Sequence, residues 1–342
     1  MTTHSDSHTE SGSITVISGG VGAARFLRGL IDAVDADRIT AVVNTGDDTV
    51  LHGLSISPDL DTITYTLAGA IDPERGWGLI DETWRAMAAL GRYATVRPDG
   101  SSAAPQWFNL GDQDLATHFY RTARLDEGAT LTQVTDEIRR AWDVPIRLVP
   151  MSNERCSTIV SVSEDPDAGG AERDVSFQDY FVRLRHSVPV SAVRFDGNAA
   201  LSATAATAIR TAAVIVIAPS NPLVSIGPLR SLDGVDELLA GRRDDVVAVS
   251  PIVGGAALKG PADRMLLELG HEPTVVGVAR MYASIASVLV VDPIDAHLAG
   301  EIEATGMRCV VTPSVMSTPE IARQLALTTI GSVAGSRQPI IE

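Results

Sequence analysis

Residues 14–25 read ITVISGGVGAAR and carry three signals in one short segment. The apolar, β-branched run predicts a buried strand over Ile14–Ser18, and a helical pattern follows from about Ala23 to Val34. Between them, the turn Gly19-Gly20-Val21-Gly22 lets an anion approach the first free N–H groups of a helix. Its spacing is neither G-x-G-x-x-G nor that of a lysine-containing phosphate loop, so it indicates either a phosphate cradle or only a turn.

Strand and helix patterns alternate along most of the chain. This favours an α/β fold of the Rossmann type, with a doubly wound, mainly parallel sheet. Beyond the first strand, the pattern predicts strands at Ile39–Val43, Ile146–Val149, Thr158–Val162, Val188–Phe195, Ala213–Ala218, Val246–Ser250, Thr274–Val278, Val288–Val291 and Arg308–Val311.

The region between residues 60 and 142 has helical spacing and little strand signal. We expect it to be a helical insertion that covers the active site. Residues 14–59 and 143–342 are then expected to form one nucleotide-binding domain, preceded by a disordered lead-in at residues 1–13.

Composition restricts the class of protein. The chain has 342 residues, 45% of them hydrophobic and 20% charged, with a formal net charge of −16. Such an acidic chain is not expected to bind nucleic acid, which requires a basic face. No apolar run is long enough to span a bilayer, and two cysteines support neither a disulfide framework nor a thiolate zinc site. The expected location is the cytoplasm.

Four aspartates follow the glycine turn in two groups. The first group, Asp47 and Asp48, comes directly after the second strand, in the segment Asn44–Asp48. Adjacent carboxylates at this place can hold Mg²⁺ or bind a ribose diol, and Asn44 is a further candidate for binding substrate. The alternative is an Asx turn with solvated charges.

The second group is Asp59 and Asp61, within Ser57-Pro58-Asp59-Leu60-Asp61-Thr62. Either aspartate could simply cap the apolar helix that follows. The segment returns only a dozen residues after Asp47, so both acidic groups can lie over the same edge of the sheet. A phosphate cradle with carboxylates nearby predicts a site for a phosphate ester and a divalent cation.

Later loops leave the carboxyl ends of strands, where open α/β sheets bind ligands. Ser220 and Asn221 are suited to binding a base or a phosphate, and Lys259, the only lysine, lies in a glycine-rich loop. Proline and glycine alone would mark these loops as turns. His52, His118 and the four tryptophans have no evident partner, so packing is their expected role.

Taken together, these segments resemble the 2-phospho-L-lactate transferase family, whose actinobacterial members act as phosphoenolpyruvate transferases in making the deazaflavin coenzyme F-420. The resemblance runs through most of the chain in order. Its segments are Ser18–Gly22 with Arg25–Leu27, Val43-Asn44 with Gly46–Asp48, Pro58–Thr62, Ile71–Gly78, Leu110–His118, Ala218–Pro228 and Val249–Ile252. Ile71–Gly78 is especially similar to the actinobacterial branch.

The resemblance implies a cytoplasmic, homodimeric enzyme that transfers a substituted phosphate group. Its donor would be enolpyruvyl- or lactyl-diphosphoguanosine, and its acceptor Fo, a deazaflavin with a ribityl chain. The terminal ribityl hydroxyl would attack the phosphate that bears the enolpyruvyl or lactyl group, and GMP would leave. The matching positions for Mg²⁺ are Asp47 and Asp61, and Asp61 also matches a position associated with Fo.

Within this reading the remaining candidates take defined roles. Gly19, Gly20 and Gly22 would hold the diphosphate through backbone N–H groups, and Asp48 or Asp59 would accept the hydroxyl proton. The chain departs from the family at Gln113, where the family has an arginine that binds the acceptor. Glutamine can donate hydrogen bonds but carries no charge and no bidentate fork.

Two other functions compete with the transferase. The first is a sugar-nucleotide-binding regulator of the gluconeogenesis-factor type, which shares the glycine turn but has a run of small residues after the second strand. Leu51–Asp61, with its Pro-Asp-Leu-Asp, favours the transferase instead. The second is a nicotinamide-dependent dehydrogenase, for which the glycine spacing is wrong and no catalytic His–Arg or Tyr–Lys pair is seen.

Overall fold

The computed structural model describes residues 12–163 and 172–333. Residues 1–11 of the predicted lead-in lie outside these ranges. Within the described ranges no helix combines the length and the apolar character that crossing a membrane would need.

The strands are numbered in chain order. They are β1 Ile14–Ser18, β2 Ile39–Val43, β3 Thr49–Leu51, β4 Leu54–Ile56, β5 Arg147–Pro150, β6 Ser157–Ser163, β7 Glu172–Ser176, β8 Val190–Asp196, β9 Val214–Ile217, β10 Val246–Val249, β11 Ile252–Val253, β12 Ala256–Ala257, β13 Val288–Val291 and β14 Arg308–Val311.

The α-helices are numbered in the same way. They are α1 Gly20–Ile31, α2 Pro58–Leu67, α3 Arg85–Ala94, α4 Asp114–Asp126, α5 Leu131–Ala141, α6 Ala203–Thr211, α7 Gly227–Arg230, α8 Val235–Ala240, α9 Ala262–Glu268, α10 Val275–Tyr282, α11 Ala299–Ala304 and α12 Pro319–Gly331.

Seven parallel strands form the central sheet in the order β14-β13-β10-β9-β1-β2-β5. The predicted Rossmann-like α/β class is therefore confirmed. Strands β1 and β9 are neighbours. On the β1 side the chain adds β2 and then β5, and on the β9 side it adds β10, β13 and β14. This reversal leaves a crevice at the carboxyl ends of β1 and β9, the place where doubly wound sheets bind their ligands.

The central strands are buried on both faces, as parallel strands covered by helices are. Ile17, Ile215 and Ile217 point into one hydrophobic cluster. Val16 and Val216, which alternate with them, point into the cluster on the other face. Because this core holds both strands in register, the loops that follow β1 and β9 are anchored side by side.

Four helices, α2 to α5, lie between the short antiparallel hairpin β3–β4 and strand β5. This region has a small apolar cluster of its own, built on Ile56, Met87 and Leu110. Strands β6, β7 and β8 pair in a separate antiparallel sheet. The hairpin β3–β4 was not predicted.

The strand predicted at Thr274–Val278 is wrong, because Val275–Tyr282 forms helix α10. The β-branched run misleads since four of its consecutive residues, Val275–Val278, are all buried, which removes the alternation that would separate strand from helix. The hydroxyl of Thr274 accepts a hydrogen bond from the Gly277 N–H and caps the helix at its first turn.

Candidate active site

A cavity of about 900 Å³ opens at the carboxyl ends of β1, β2, β9 and β10. The glycine turn, Asp47, Asp59 and Asp61 line it from the sheet edge and α2. Residues of α4 and of the segments 75–78 and 107–110 line it from the predicted insertion, and Lys259 lies on a further side. The cavity therefore gathers segments that are far apart in the chain.

The glycine turn has two residues that need to be glycine. Gly20 has φ +67°, a left-handed backbone conformation that residues with a side chain rarely adopt. A Cβ atom on Gly22 would lie 2.1 Å from the Pro219 carbonyl oxygen, which belongs to the loop after β9. Helix α1 can start over the crevice only because its first turn passes this close to the neighbouring loop.

Asp59 lies beside the start of helix α1. Its Oδ2 atom accepts a 2.9 Å hydrogen bond from the Asn44 side-chain amide, and the Asn44 Oδ1 atom accepts another, also 2.9 Å, from the Gly46 N–H. Burial raises the pKa of Asp59 to about 6. The hydrogen bonds from the Asn44 amide and the Gly20 N–H act in the opposite direction and lower the pKa. Asn44 is buried and thus shapes the acidic loop rather than lining the cavity.

Asp47 and Asp48 are short of hydrogen-bond donors. Asp47 lines the cavity with 7% of its surface exposed, and its Oδ1 atom is buried without a partner among the described residues. Burial raises its pKa well above the usual range, and the charges of Asp59 and Asp48 raise it further. A carboxylate held in this way needs either a proton or a cation.

Asp48 lies behind the cavity lining. Its Oδ2 atom accepts a 2.7 Å hydrogen bond from the Ser57 hydroxyl, while Oδ1 is buried without a partner in the described structure. Burial raises the pKa of Asp48 to about 8, although Ser57 and the charge of Arg121 lower it. Neither Asp59 nor Asp61 caps α2, whose N-cap residue Ser57 makes no side-chain capping bond.

Asp61 is bonded differently from the other three aspartates. Both of its carboxylate oxygens accept hydrogen bonds from the Arg121 guanidinium of α4, through Nη1 at 3.1 Å and through Nη2. Arg121 is only 2% exposed, and its Nη1 atom also lies 3.4 Å from the Ser55 carbonyl oxygen and 3.2 Å from His118 Nδ1. Burial alone would lower the pKa of Arg121, but the charges of Asp61 and Asp48 raise it.

The network continues along α4. His118 Nε2 lies 3.2 Å from Asp114 Oδ2, and the Tyr65 hydroxyl donates a 2.6 Å hydrogen bond to Asp114 Oδ1. Burial opposes ionisation of Asp114, yet the bonds from His118 and Tyr65 hold its pKa below the usual value. Asp61, Asp114 and His118 each offer an atom that can bind a metal ion, all within 4.8 Å of one another.

These groups decide how a divalent cation fits. Asp61 and Asp114 already have donors, whereas a buried oxygen of Asp47 faces the cavity region without one. A carboxylate bonded by a guanidinium keeps free lone pairs, since its two oxygens have about four lone-pair sites. The donor set thus offers Mg²⁺ the unpartnered Asp47 oxygen, while Asp61 keeps free lone pairs and lies in a second group of potential ligand atoms with Asp114 and His118.

The positive charge of the cavity comes from three sides. Arg25 and Lys259 line it and make no ion pair with any residue in the described ranges. A Cβ atom on Gly76 would lie 3.0 Å from Lys259 Nζ, so this ammonium reaches across to the predicted insertion. Arg75 lies over Trp77 and Trp84, with its guanidinium carbon 5.7 and 5.3 Å from their ring centres.

Three predicted binding residues take part in local structure. The Ser220 hydroxyl donates a 2.7 Å hydrogen bond to the Gly19 carbonyl, and Asn221 Oδ1 accepts one of 2.9 Å from the Leu223 N–H, while both residues line the cavity. Gln113 lies outside the cavity lining, and its amide donates to the carbonyls of Ile80 and Asp81 at 3.3 and 3.2 Å.

Sequence reasoning missed Arg121, Asp114 and Tyr65, and it wrongly left His118 without a partner. The spacing of positions 114, 118 and 121 places them on one face of a helix, and this was the available signal. Trp77, Trp107 and Phe108 also line the cavity, so two of the four tryptophans expected to serve in packing contribute to its wall.

Known structures share this fold. Two crystal structures of a Bacillus halodurans protein, assigned to the UPF0052 family, superpose with TM-scores of 0.58 and 0.55 at 16% and 15% identity. Each match covers 93% of this chain and 98% or more of the other. A likeness at this level of identity concerns the fold alone, which is α/β.

The sequence comparisons identify the family. The family model described as 2-phospho-L-lactate transferase CofD matches residues 14–312. Proteins named phosphoenolpyruvate transferase are 42% identical in Streptomyces griseus, 41% in Streptomyces coelicolor and 40% in Mycobacterium avium. These matches cover 91–92% of this chain and 95–96% of the relatives. The chain belongs to the 2-phospho-L-lactate transferase family, and it is a transferase.

Proposed function

We propose that this transferase moves a phosphoenolpyruvyl group from a guanosine diphosphate-linked donor to the ribityl hydroxyl of Fo, with Mg²⁺ as cofactor. The product other than GMP would be a phospho-linked deazaflavin of coenzyme F-420 biosynthesis. The observation that carries the proposal is one cavity that joins a helix N-terminus, two cations that form no ion pair with a described residue, and Asp47, whose buried Oδ1 atom has no partner in the described ranges.

The donor diphosphate suits the side of the cavity at α1. Gly19, Gly20 and Gly22 bring the N-terminus of a twelve-residue helix to the cavity, and helix N-termini attract phosphate. Arg25 and Lys259 can neutralise the diphosphate from two directions, because neither is engaged with a described carboxylate. Ser220 supports this side by fixing the carbonyl of Gly19.

Mg²⁺ suits the acidic side, at Asp47 and Asp61. The ion would supply charge neutralisation at the diphosphate when bound. Asp47 offers a buried oxygen without a described partner, and Asp61 presents a carboxylate whose orientation Arg121 determines. Asp48 adds negative charge from behind the lining.

The acceptor suits the aromatic part of the cavity. Trp77, Trp107, Phe108 and Phe181 line it and offer flat apolar surface to a tricyclic ring. Gln113 lies away from the lining, so the departure from the family arginine changes a position next to the site rather than a cavity contact.

The transfer step follows from these placements. The ribityl oxygen forms a bond to the phosphorus that bears the enolpyruvyl group, the bond from that phosphorus to the oxygen of the GMP phosphate breaks, and GMP leaves. Asp59 lines the cavity with a pKa of about 6, which suits acceptance of the hydroxyl proton near neutral pH. Loose phosphoryl transition states require little help from a base, so positioning is the main contribution of the protein.

The test offers purified protein both donors together, enolpyruvyl- and lactyl-diphosphoguanosine, with Fo and Mg²⁺. We expect mass spectrometry to detect the enolpyruvyl product in excess, together with one GMP for each deazaflavin modified. An excess of the lactyl product would reverse the donor assignment. A protein that binds the guanosine compounds but releases no GMP would refute the proposed reaction.

A further inference from the structure

Arg121 links the acidic sheet edge to the helix α4. It lies 60 residues from Asp61 in the chain, yet its guanidinium makes a bidentate pair with that carboxylate. Both side chains are buried, at 2% and 8% exposure. Removing an arginine from water is unfavourable unless its hydrogen bonds are satisfied, so a placement this specific requires this partner.

Two further contacts hold the guanidinium in place. Nη1 lies 3.4 Å from the Ser55 carbonyl and 3.2 Å from His118 Nδ1. His118 is itself 3.2 Å from Asp114, whose other oxygen receives the Tyr65 hydroxyl. The bidentate bond from Arg121 fixes the plane of the Asp61 carboxylate, and His118 and Tyr65 lie against Asp114 beside it.

We propose that Arg121 is a positioning residue of the transferase: it orients the Asp61 carboxylate so that its free lone pairs face the divalent cation held with Asp47. The inference rests on the proposed function only in taking the cation to be the cofactor of the transfer. Outer partners that hydrogen-bond a ligating carboxylate generally change metal affinity or activity by about 10–100-fold when they are removed.

Arg121→Lys separates orientation from charge. Lysine keeps the positive charge beside Asp61 and Asp48 but lacks the planar fork that bonds both oxygens. We expect Arg121→Lys to bind Mn²⁺ about 10-fold or more weakly than the wild type, by electron paramagnetic resonance titration of free Mn²⁺. The KM for the guanosine donor should stay within about twofold, since the donor contacts lie at α1.

Arg124→Gln is the matched control. Arg124 is on the same helix, one turn further along, and pairs on the surface with Glu127 and Glu137. We expect it to leave Mn²⁺ affinity and turnover unchanged. Wild-type Mn²⁺ affinity in Arg121→Lys would overturn the proposal, because a role in charge balance alone is met by lysine.

A second variant keeps the proposal testable if Arg121→Lys does not fold. The double variant Asp61→Asn with Arg121→Gln replaces the buried ion pair by two amides that can still bond each other. If Arg121 acts through Asp61, the double variant should match Asp61→Asn alone in Mn²⁺ affinity and in turnover. A further tenfold loss in the double variant would refute the inference.

The Mn²⁺ titrations also separate this inference from the proposed function. A wild-type protein that makes no product but shows the expected Mn²⁺ pattern would refute the proposed transfer and retain the role of Arg121. A wild-type protein that turns over normally while binding no Mn²⁺ would refute the inference and the metal assignment together.

Discussion

Two acidic regions face the cavity and differ in how their carboxylates are satisfied. In the first, the sheet-edge cluster of Asp47, Asp48 and Asp59, two buried oxygens lack a hydrogen-bond partner in the described structure. In the second, the insertion network of Asp61, Asp114, His118 and Arg121, each carboxylate oxygen lies within bonding distance of a donor group.

This difference indicates that the sheet-edge cluster binds a ligand, whereas the insertion network holds neighbouring side chains in place. A buried carboxylate oxygen without a donor is unstable as an anion, so the sheet-edge cluster requires either protons or a ligand that brings positive charge. In the insertion network the Arg121–Asp61 pair holds one geometry without ligand, while His118 Nε2 lies 3.2 Å from Asp114 Oδ2 without forming a well-aligned hydrogen bond in the described structure. The four predictions below test this contrast in order of expected effect.

Asp47→Asn should have the largest effect on activity. It removes a charged cation ligand at the sheet-edge cluster, and losses of several kcal/mol are typical of such changes, on the order of 10²–10³-fold in rate. The melting temperature should not fall, because the neutral amide resembles the protonated carboxyl that burial favours at this position without metal. Steady-state rates and calorimetry of the same preparation check both statements.

Asp37→Asn is the control for this change, because Asp37 is exposed just before β2. We expect its rate and melting temperature to equal those of the wild type. Undiminished turnover in Asp47→Asn would exclude a catalytic role for the sheet-edge cluster.

The second prediction concerns pH. The pKa of Asp48 is raised to about 8 in the folded protein, above its ordinary value, so folding favours the protonated form. The stability that this proton provides is complete at low pH and is lost as pH rises through 8. Without metal, unfolding free energy should fall by about 2 kcal/mol between pH 6 and pH 8 from this group.

Urea unfolding at several pH values, with a chelator present, measures the slope. Asp48→Asn should flatten it, since the amide does not titrate and can still accept the Ser57 hydrogen bond. Added Mg²⁺ should restore stability at pH 8, because binding to the folded state alone stabilises it. A metal-free protein that becomes more stable over this pH range would contradict the assignment of an undersatisfied cluster.

Site residues that lie close together in the sequence could be predicted as a group, whereas contacts between residues far apart in the sequence could not. The glycine turn and the four aspartates lie within residues 19–61 and follow two strands whose bounds were predicted correctly, Ile14–Ser18 and Ile39–Val43. Strand ends in a parallel sheet share an edge, so their grouping follows from local patterns. The insertion network does not, because its orientation depends on how α4 packs.

The first and last residues of helices and strands were harder to predict than the presence of the helices and strands themselves. Helix α1 begins at Gly20 and not at Ala23, since the turn residues themselves enter the helix. The hairpin β3–β4 has strands of only three residues, too short for an alternating pattern to be recognised. The only local signal at Arg121 was its helical spacing from positions 114 and 118, and that spacing does not show that its partner lies on α2.

The third prediction tests the packing that opens the anion side. In Gly22→Ala the new methyl group would meet the Pro219 carbonyl at 2.1 Å, so α1 must shift. Overpacking of this kind typically costs about 1–3 kcal/mol, and displacement of the helix should raise the donor KM. Chemical denaturation and donor titration give the two values.

Gly300→Ala is its matched control. Gly300 is exposed in helix α11, and a methyl group there meets no atom within 4 Å. Alanine should stabilise this helix by about 0.5–1 kcal/mol and leave the donor KM unchanged. Equal stabilities of the two variants would show that the close approach at Gly22 does not constrain α1.

The smallest effect is expected at Thr274, far from both acidic regions, where the sequence pattern predicted a strand. Thr274→Val strengthens the β-branched pattern but removes the hydroxyl that caps α10. The loss of such a cap costs about 1 kcal/mol. The circular dichroism spectrum should keep its helical content, because Val275–Val278 are buried and tertiary packing outweighs local propensity. Denaturation midpoints measure the loss, and unchanged turnover is expected since the cavity is untouched. A gain of strand signal would mean that local preference, and not the cap and the core, determines this segment.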